Sequence, residues 1–354
     1  MSKANLNIYL LFFSIIFQNL TFTYSQFRFS AGAGAGYYNS SGTSVIGQSD
    51  LYRDFDGQFG YIYNDDNRNA GLKLIVHPEF YGSESILTAL NFDAAGSFKQ
   101  EQESFNWGFK LNSRLDNFNG RNINLLYDIF NGLAEGDLFF LKDFPLNIIT
   151  GYGYQKIKDS TGQNLDFYLV DLKTSCSLSS ITKIEYGVYS EFFSVTGVSS
   201  SGGHRVNVTT GQTATISRNN GWRFGPQTGF YYLKDAIVNF DYRFLMHISD
   251  LTNNFSYEQW IRLVAGKLLS DKWSAFFLAD FYFRKFKLNE LAENNLNLLY
   301  NSSNLDNHIY LKIGYDLLDH LEIDIRTGYF REILVNNKYL YSGWNTILGI
   351  EFEN

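Results

Sequence analysis

SFNWGFKLNSRLD, residues 104–116, alternates cleanly. Phe105, Trp107, Phe109, Leu111 and Leu115 share one parity, and Asn106, Gly108, Lys110, Asn112 and Arg114 share the other. Successive side chains of a β-strand point to opposite faces, so this segment has one apolar face and one wet face. The pattern returns at residues 146–155, 222–232, 238–246, 273–285, 309–316, 321–330 and 344–352. Such repetition predicts an all-β fold, a transmembrane antiparallel up-and-down β-barrel of about sixteen strands, within a range of roughly fourteen to eighteen.

Composition points the same way. Aromatic residues make up 18% of the chain, with 25 Tyr and 33 Phe against 3 Pro, while the mean hydropathy is only −0.20. A barrel in a membrane gives large rings two places, the lipid-facing band and the interfacial girdles. A soluble β-sandwich or propeller, the competing all-β reading, has less use for them.

The first residues predict export. Lys3, the apolar run IYLLFFSIIF at residues 8–17 and Thr23-Tyr24-Ser25 form a secretory signal peptide over residues 1–25, with Gln26 as the mature start. Gln18, Asn19 and Thr21 end the apolar run well short of the roughly 20 residues a spanning helix takes. No Cys lies near the cleavage point, which argues against a lipid anchor. The single Cys176 leaves no intrachain disulfide.

Strand counting from residues 51–63 gives sixteen strands ending at Phe352, with the barrel assigned to residues 51–354. On this count the inner turns fall at residues 82–84, 116–121, 158–163, 234–236, 270–272 and 317–320, all rich in Asp, Asn, Gly, Ser or Lys. The two longest connections, residues 132–145 and 288–306, then face outward. Residues 26–50 become a leader that stays in the periplasm or plugs the lumen, and residues 194–217 supply a strand or a short hairpin. The alternative makes FRFSAGAGAGYY, residues 27–38, the first strand and the Val206 region a loop.

Parity assigns faces. Phe59, Tyr61 and Tyr63, Ile148, Tyr152 and Tyr154, and Phe277, Phe281 and Phe283 turn outward. Asn239, Glu258, Arg262, Lys312, Asp316, Glu322 and Glu332 turn inward. So do Lys110, Arg114, Asp241, Arg243, Asp324 and Arg326, the candidate lumen-lining residues. Their charges are either a structural network across the wall or a pore constriction that selects permeants. Residues 132–145, GLAEGDLFFLKDFP, are the candidate infolded loop, because Phe139 and Phe140 pack better inside a barrel mouth than in water.

Motifs for chemistry are missing. The sequence has no GxSxG elbow, HExxH, paired CxxC or phosphate-binding GxxxxGK[ST]. His77, His204, His247, His308 and His320 have no nucleophile motif beside them, and NDDNRN at residues 64–69 reads as a hairpin tip. The expectation is therefore no cofactor, no metal and no enzymatic activity; a lipid-modifying outer-membrane enzyme would need a His, Ser and acid cluster at one rim. The net charge of −7 gives no reason to expect nucleic-acid binding.

The alternation, together with the closing segment WNTILGIEF at residues 344–352, resembles bacterial outer-membrane β-barrels of the porin-like class. Glu353 and Asn354 follow the usual terminal aromatic, a departure from that pattern. Heavy use of Asn, Phe, Tyr, Ile and Lys is similar to barrels of the Bacteroidota. The resemblance implies a location in the Gram-negative outer membrane and a channel for small solutes. It implies as partners the membrane lipid, the barrel-assembly machinery, and either small solutes or an export partner. The other function it allows is a plugged, non-conducting barrel serving a surface export, secretion or adhesion assembly, with residues 132–145 and 288–306 as contact surfaces.

Overall fold

The computed structural model describes residues 25–40, 49–82, 87–102, 105–120, 123–138, 145–158, 163–198, 216–292, 295–301, 307–334 and 339–353. Sixteen strands follow one another in them: β1 (Ser25–Ser40), β2 (Ser49–Asn64), β3 (Arg68–Tyr81), β4 (Leu87–Glu101), β5 (Phe105–Gly120), β6 (Ile123–Leu138), β7 (Leu146–Lys158), β8 (Asn164–Ser179), β9 (Thr182–Val198), β10 (Ile216–Leu233), β11 (Ile237–Ser249), β12 (Thr252–Leu268), β13 (Trp273–Lys285), β14 (Asn307–Leu318), β15 (Leu321–Leu334) and β16 (Tyr339–Glu353). Each pairs antiparallel with the next, and β1 pairs with β16, so the sheet closes and has no edge. Closure is what hydrocarbon demands, since no water is there to satisfy an unpaired strand edge.

The register carries one parity unbroken around the barrel, and burial tells the two faces apart. Phe27, Phe29, Phe55, Tyr168, Val188, Phe192, Leu348 and Ile350 are exposed, whereas Asp54, Glu191, Arg223, His247, Glu258 and Asp324 of the opposite parity are buried. A water-soluble domain would invert this arrangement. The apolar face is the outer, lipid-facing one, and the polar face lines the interior.

Ser25–Ser40 is where the structure departs from the preferred strand count. It is β1, paired with β2 on one side and β16 on the other, so it is part of the wall and not a leader or plug. Its middle places Gly32, Gly34 and Gly36 inward and only Ala31, Ala33 and Ala35 outward, which hides the alternation. The missing side chains are used for close approach. A Cβ on Gly34 would lie 2.7 Å from Cγ2 of Ile347, and one on Gly36 would lie 2.7 Å from the Ile347 Cα.

Adding β1 and ending β9 at Val198 shifts the count by one strand through the first half of the chain. Turns at residues 234–236, 269–272 and 319–320 do lie at the end where β1 begins and β16 finishes, the terminal end. The connections at 82–86, 121–122 and 159–163 lie at the opposite end, with 286–306. The Val206 region lies outside the described residues. Residues 132–138, expected in a long outer loop, continue β6, and the connection that follows them lies at the terminal end. Of their outward side chains Gly132, Ala134 and Gly136 are too small to register as an apolar face, which leaves Leu138 alone; pairing with β5 and β7 on both sides makes them strand. Phe139 and Phe140 lie outside the described residues.

The tight turns use local side chains. Between β2 and β3 the Asp65 carboxylate accepts from the amides of Asn67 at 2.9 Å and Arg68 at 2.7 Å, and from the Tyr63 hydroxyl at 2.8 Å. The chain leaves β3 at Gly82 with φ 87°, a left-handed conformation that glycine adopts freely.

Candidate functional site

The interior is dominated by the connection between β13 and β14. It leaves the wall at Phe286, where the Lys287 amide bonds Oγ of Ser256 at 2.9 Å, and makes two single 3-10 turns, Glu290–Ala292 and Leu296–Leu298. Leu298, Leu299 and Tyr300 then bury themselves against Leu165, Phe193 and Val195 on β8 and β9. The connection therefore reaches inward at the barrel mouth from β13 to the faces of β8 and β9.

Inward amides of the wall capture its backbone carbonyls. Gln163 Nε2 donates to Asn297 O at 2.8 Å, Asn219 Nδ2 to Leu298 O at 2.8 Å, and Gln155 Nε2 to Asn301 O at 3.3 Å. Arg284 Nη1 donates to Tyr300 O at 3.1 Å. Carbonyls buried in this way would otherwise be left without partners, so these bonds are what permits an irregular segment inside a barrel. Among the described residues the infolded segment is this one, whereas residues 132–138 of the expected infolded loop belong to β6.

Beneath it lies a buried ionic cluster from four consecutive strands. Arg223 of β10 donates through Nη1 to Glu191 of β9 at 3.0 Å and through Nη2 to Glu258 of β12 at 2.8 Å. Nη1 also bonds the Tyr300 hydroxyl. Glu258 additionally bonds Nδ1 of His247 at 2.6 Å and the Tyr282 hydroxyl at 2.8 Å, and Glu191 accepts from the Tyr189 hydroxyl at 2.5 Å. Every carboxylate oxygen of the cluster is engaged, which is the condition under which charges tolerate burial.

A cavity of about 270 Å³ opens beside this cluster. Leu133, Phe167, Leu169 and Leu245 form its apolar side; Tyr189, Trp260, Tyr282 and Tyr300 give it aromatic faces; Arg243 reaches into it from β11. A second cavity of about 210 Å³ toward the terminal end also has Arg243 and Trp260 in its lining, with Lys173, Glu185, Tyr231 and Asp241. A third of about 330 Å³, lined by Lys73, Asp93, Arg114 and Asn131, shares Asn131 with the first.

The six candidate lumen residues fall into different local settings. Lys110 pairs with Glu135 at 2.5 Å, and Arg114 Nε bonds Asp116 at 2.8 Å. Asp241 accepts from the Tyr231 hydroxyl at 3.0 Å. Asp324 and Arg326 are locked together by bonds of 2.6 and 3.2 Å. Arg243 bonds the neutral Gln227 through Nε at 3.2 Å and Nη2 at 3.0 Å, and its nearest carboxylate, Asp171, is 3.8 Å away. Its guanidinium carbon stands 4.0 Å from the ring centre of Tyr189 and 5.6 Å from that of Trp260. The structure thus brings Asp241 and Arg243 together at one cavity and leaves Lys110, Arg114, Asp324 and Arg326 on other strands.

Carboxylate oxygens of Glu322, Asp324 and Glu351 lie within 4.8 Å of one another, but Lys312 Nζ stands among them at 2.6, 3.8 and 3.0 Å. A lysine already supplies the charge a cation would. His77 is similarly held between Asp56 and Glu79. Sequence reading did not single out Glu191, Arg223 or Tyr300. Parity places the first two inward, but nothing local distinguishes them from other lumen charges, and Tyr300 belongs to a segment with no periodicity.

No protein-family profile and no curated protein matches the chain. Among solved structures it is similar to Pseudomonas putida OprB at high pH, with 10% identity over 93% of this chain and 94% of that one and a TM-score of 0.45. It is also similar to the P. putida toluene transporter TodX, with 9% identity over 94% and 90% and a TM-score of 0.40, and to a bacterial polysaccharide outer membrane secretin, with 9% identity over 92% and 98% and a TM-score of 0.38.

Proposed function

We propose that the chain is an outer-membrane channel for small solutes, narrowed by the infolded connection at one mouth. The path runs along the wall from β8 to β12. The observation that carries this reading is that the cavities adjoin one another, two of them sharing Arg243 and Trp260 as common lining. Sixteen strands also enclose more space than their own side chains fill. The outward apolar band would contact lipid, and the closing strand β16 would be presented to the barrel-assembly machinery.

The test is single-channel recording of the full chain refolded into planar bilayers. Steady conductance steps support the channel. A second reading, a closed barrel serving as membrane subunit of an export or adhesion assembly, is favoured by the four side-chain bonds that hold residues 297–301 at the mouth. Silence both in the full chain and in Tyr300→Ala would favour this reading and sink the channel.

A further inference from the structure

We propose that the cavity beneath Tyr300 binds a small amphipathic monoanion, a carboxylate carried on an apolar or aromatic body, with Arg243 as its counter-ion. This rests on the channel reading and names the solute class the path selects. The cavity, about 270 Å³, has the volume of about nine liquid waters, enough for one ring and a carboxylate.

The charged group that the lining leaves exposed selects the sign of the solute. Glu191 and Glu258 are bonded at every carboxylate oxygen, to Arg223, His247, Tyr189 and Tyr282, and the side chains of Glu191, Glu258 and Arg223 are only 3%, 1% and 7% exposed. Arg243, at 23%, is more than three times as exposed as any of them. One edge of its guanidinium, Nε with Nη2, is committed to Gln227. Nη1 has no bonded partner among the described residues, which leaves the end of the fork, Nη1 with the second hydrogen of Nη2, for a bidentate contact with a carboxylate. The rings of Tyr189 and Trp260 hold the plane in place.

The lining opposite selects the body. Leu133, Phe167, Leu169 and Leu245 offer no hydrogen bonds to a polyhydroxylated or multiply charged solute, so stripping water from such a molecule would go uncompensated there. A flat apolar group loses nothing on that side and gains contact with Tyr282 and Trp260. Asp241 and Glu185 line only the second cavity, where Lys173 accompanies them.

The experiment is calorimetric titration of the folded full chain in detergent with benzoate, its neutral isostere benzamide, and benzylammonium, beside bilayer recording in potassium chloride. Benzoate is expected to bind about tenfold or more tightly than either of the others, and Arg243→Gln to abolish that preference, since a charge-assisted bidentate bond is at stake. Lys110→Gln, which removes an equal charge from a residue outside these cavities, should leave binding unchanged. Equal binding of benzoate and benzamide, or equal benzoate binding by the Arg243→Gln and wild-type chains, overturns the site. Should Arg243→Gln fail to fold, Arg243→Lys keeps the charge without the planar fork; unaltered benzoate affinity in that variant would overturn the bidentate geometry. Benzoate binding with no conductance would refute the channel and keep the site; conductance with no benzoate preference would do the reverse.

Discussion

Tyr300 and Arg223 meet twice inside the barrel: the guanidinium carbon of Arg223 is 4.2 Å from the centre of the Tyr300 ring, and its Nη1 bonds the hydroxyl. One residue belongs to the infolded connection and the other to the wall of β10. The pair joins a connection to the buried charge network of the wall.

Removing the ring should loosen the connection. A cation-π contact and a hydrogen bond to a charged group together contribute about 2 to 4 kcal/mol, so Tyr300→Ala is expected to raise mean single-channel conductance, and Tyr300→Phe to raise it less. Conductance identical in all three proteins would show that the connection does not restrict the path.

Glu258 carries bonds to Arg223, His247 and Tyr282. Glu258→Gln leaves the Arg223 guanidinium buried with half its compensation gone, and removing one partner of a buried pair costs about 3–5 kcal/mol. Denaturant unfolding of the barrel in lipid should show that loss, and a change under 1 kcal/mol would mean that Arg223 finds another partner or water.

Ion selectivity should separate two arginines that sequence alone treats alike. Arg243→Gln removes a cation whose nearest carboxylate is 3.8 Å away, and is expected to move the reversal potential toward cation selectivity. The double change Arg326→Gln with Asp324→Asn removes a neutral pair and should leave it in place. If the double change shifts the potential as much as Arg243→Gln does, the constriction lies at β15.

Deleting residues 26–50 should not unplug the barrel but open it, because β1 closes the seam between β2 and β16. Gly36→Val is a milder form of the same test: a Cβ there would press on the backbone of Thr346 and Ile347. Both changes are expected to prevent folding into a compact barrel, read as loss of the folded band on a semi-native gel. A folded, conducting deletion would place β1 outside the wall.

Asp65 gives a pH signature at a turn outside the membrane. The amide of Asn67, then the Tyr63 hydroxyl and the Arg68 amide, hold its carboxyl below the usual aspartate range. A depressed folded-state pKa means stability that is present above the unfolded pKa of about 3.9 and lost as the pH falls through the folded value. The difference in unfolding midpoint between the wild-type chain and Asp65→Asn should therefore be constant near neutral pH and shrink in acid; a difference that grows in acid would contradict the assignment.

The all-β class, the barrel and the face of each clear strand were legible in the chain because strand periodicity is local. Phe105 to Leu115 can be sorted by eye, and neighbouring strands inherit the same parity once paired. The strand number was legible too, but not which segments supplied it. Ser25–Ser40 and residues 132–138 have Gly and Ala where alternation needs bulk, and only pairing on both sides identifies them as wall.

Charge at inward positions was equally readable from order along the chain: Asp241, Arg243, Asp324 and Arg326 could all be named as facing inward. Which of those charges is compensated was not, because compensation is a property of distances between strands. Arg326 finds Asp324 two residues away on its own strand, Arg243 finds a neutral glutamine on the next, and Arg223 is met from β9, β12 and a connection far along the chain. Local sequence dictates which way a side chain points, since the backbone alternates by itself; closing the sheet decides what it points at.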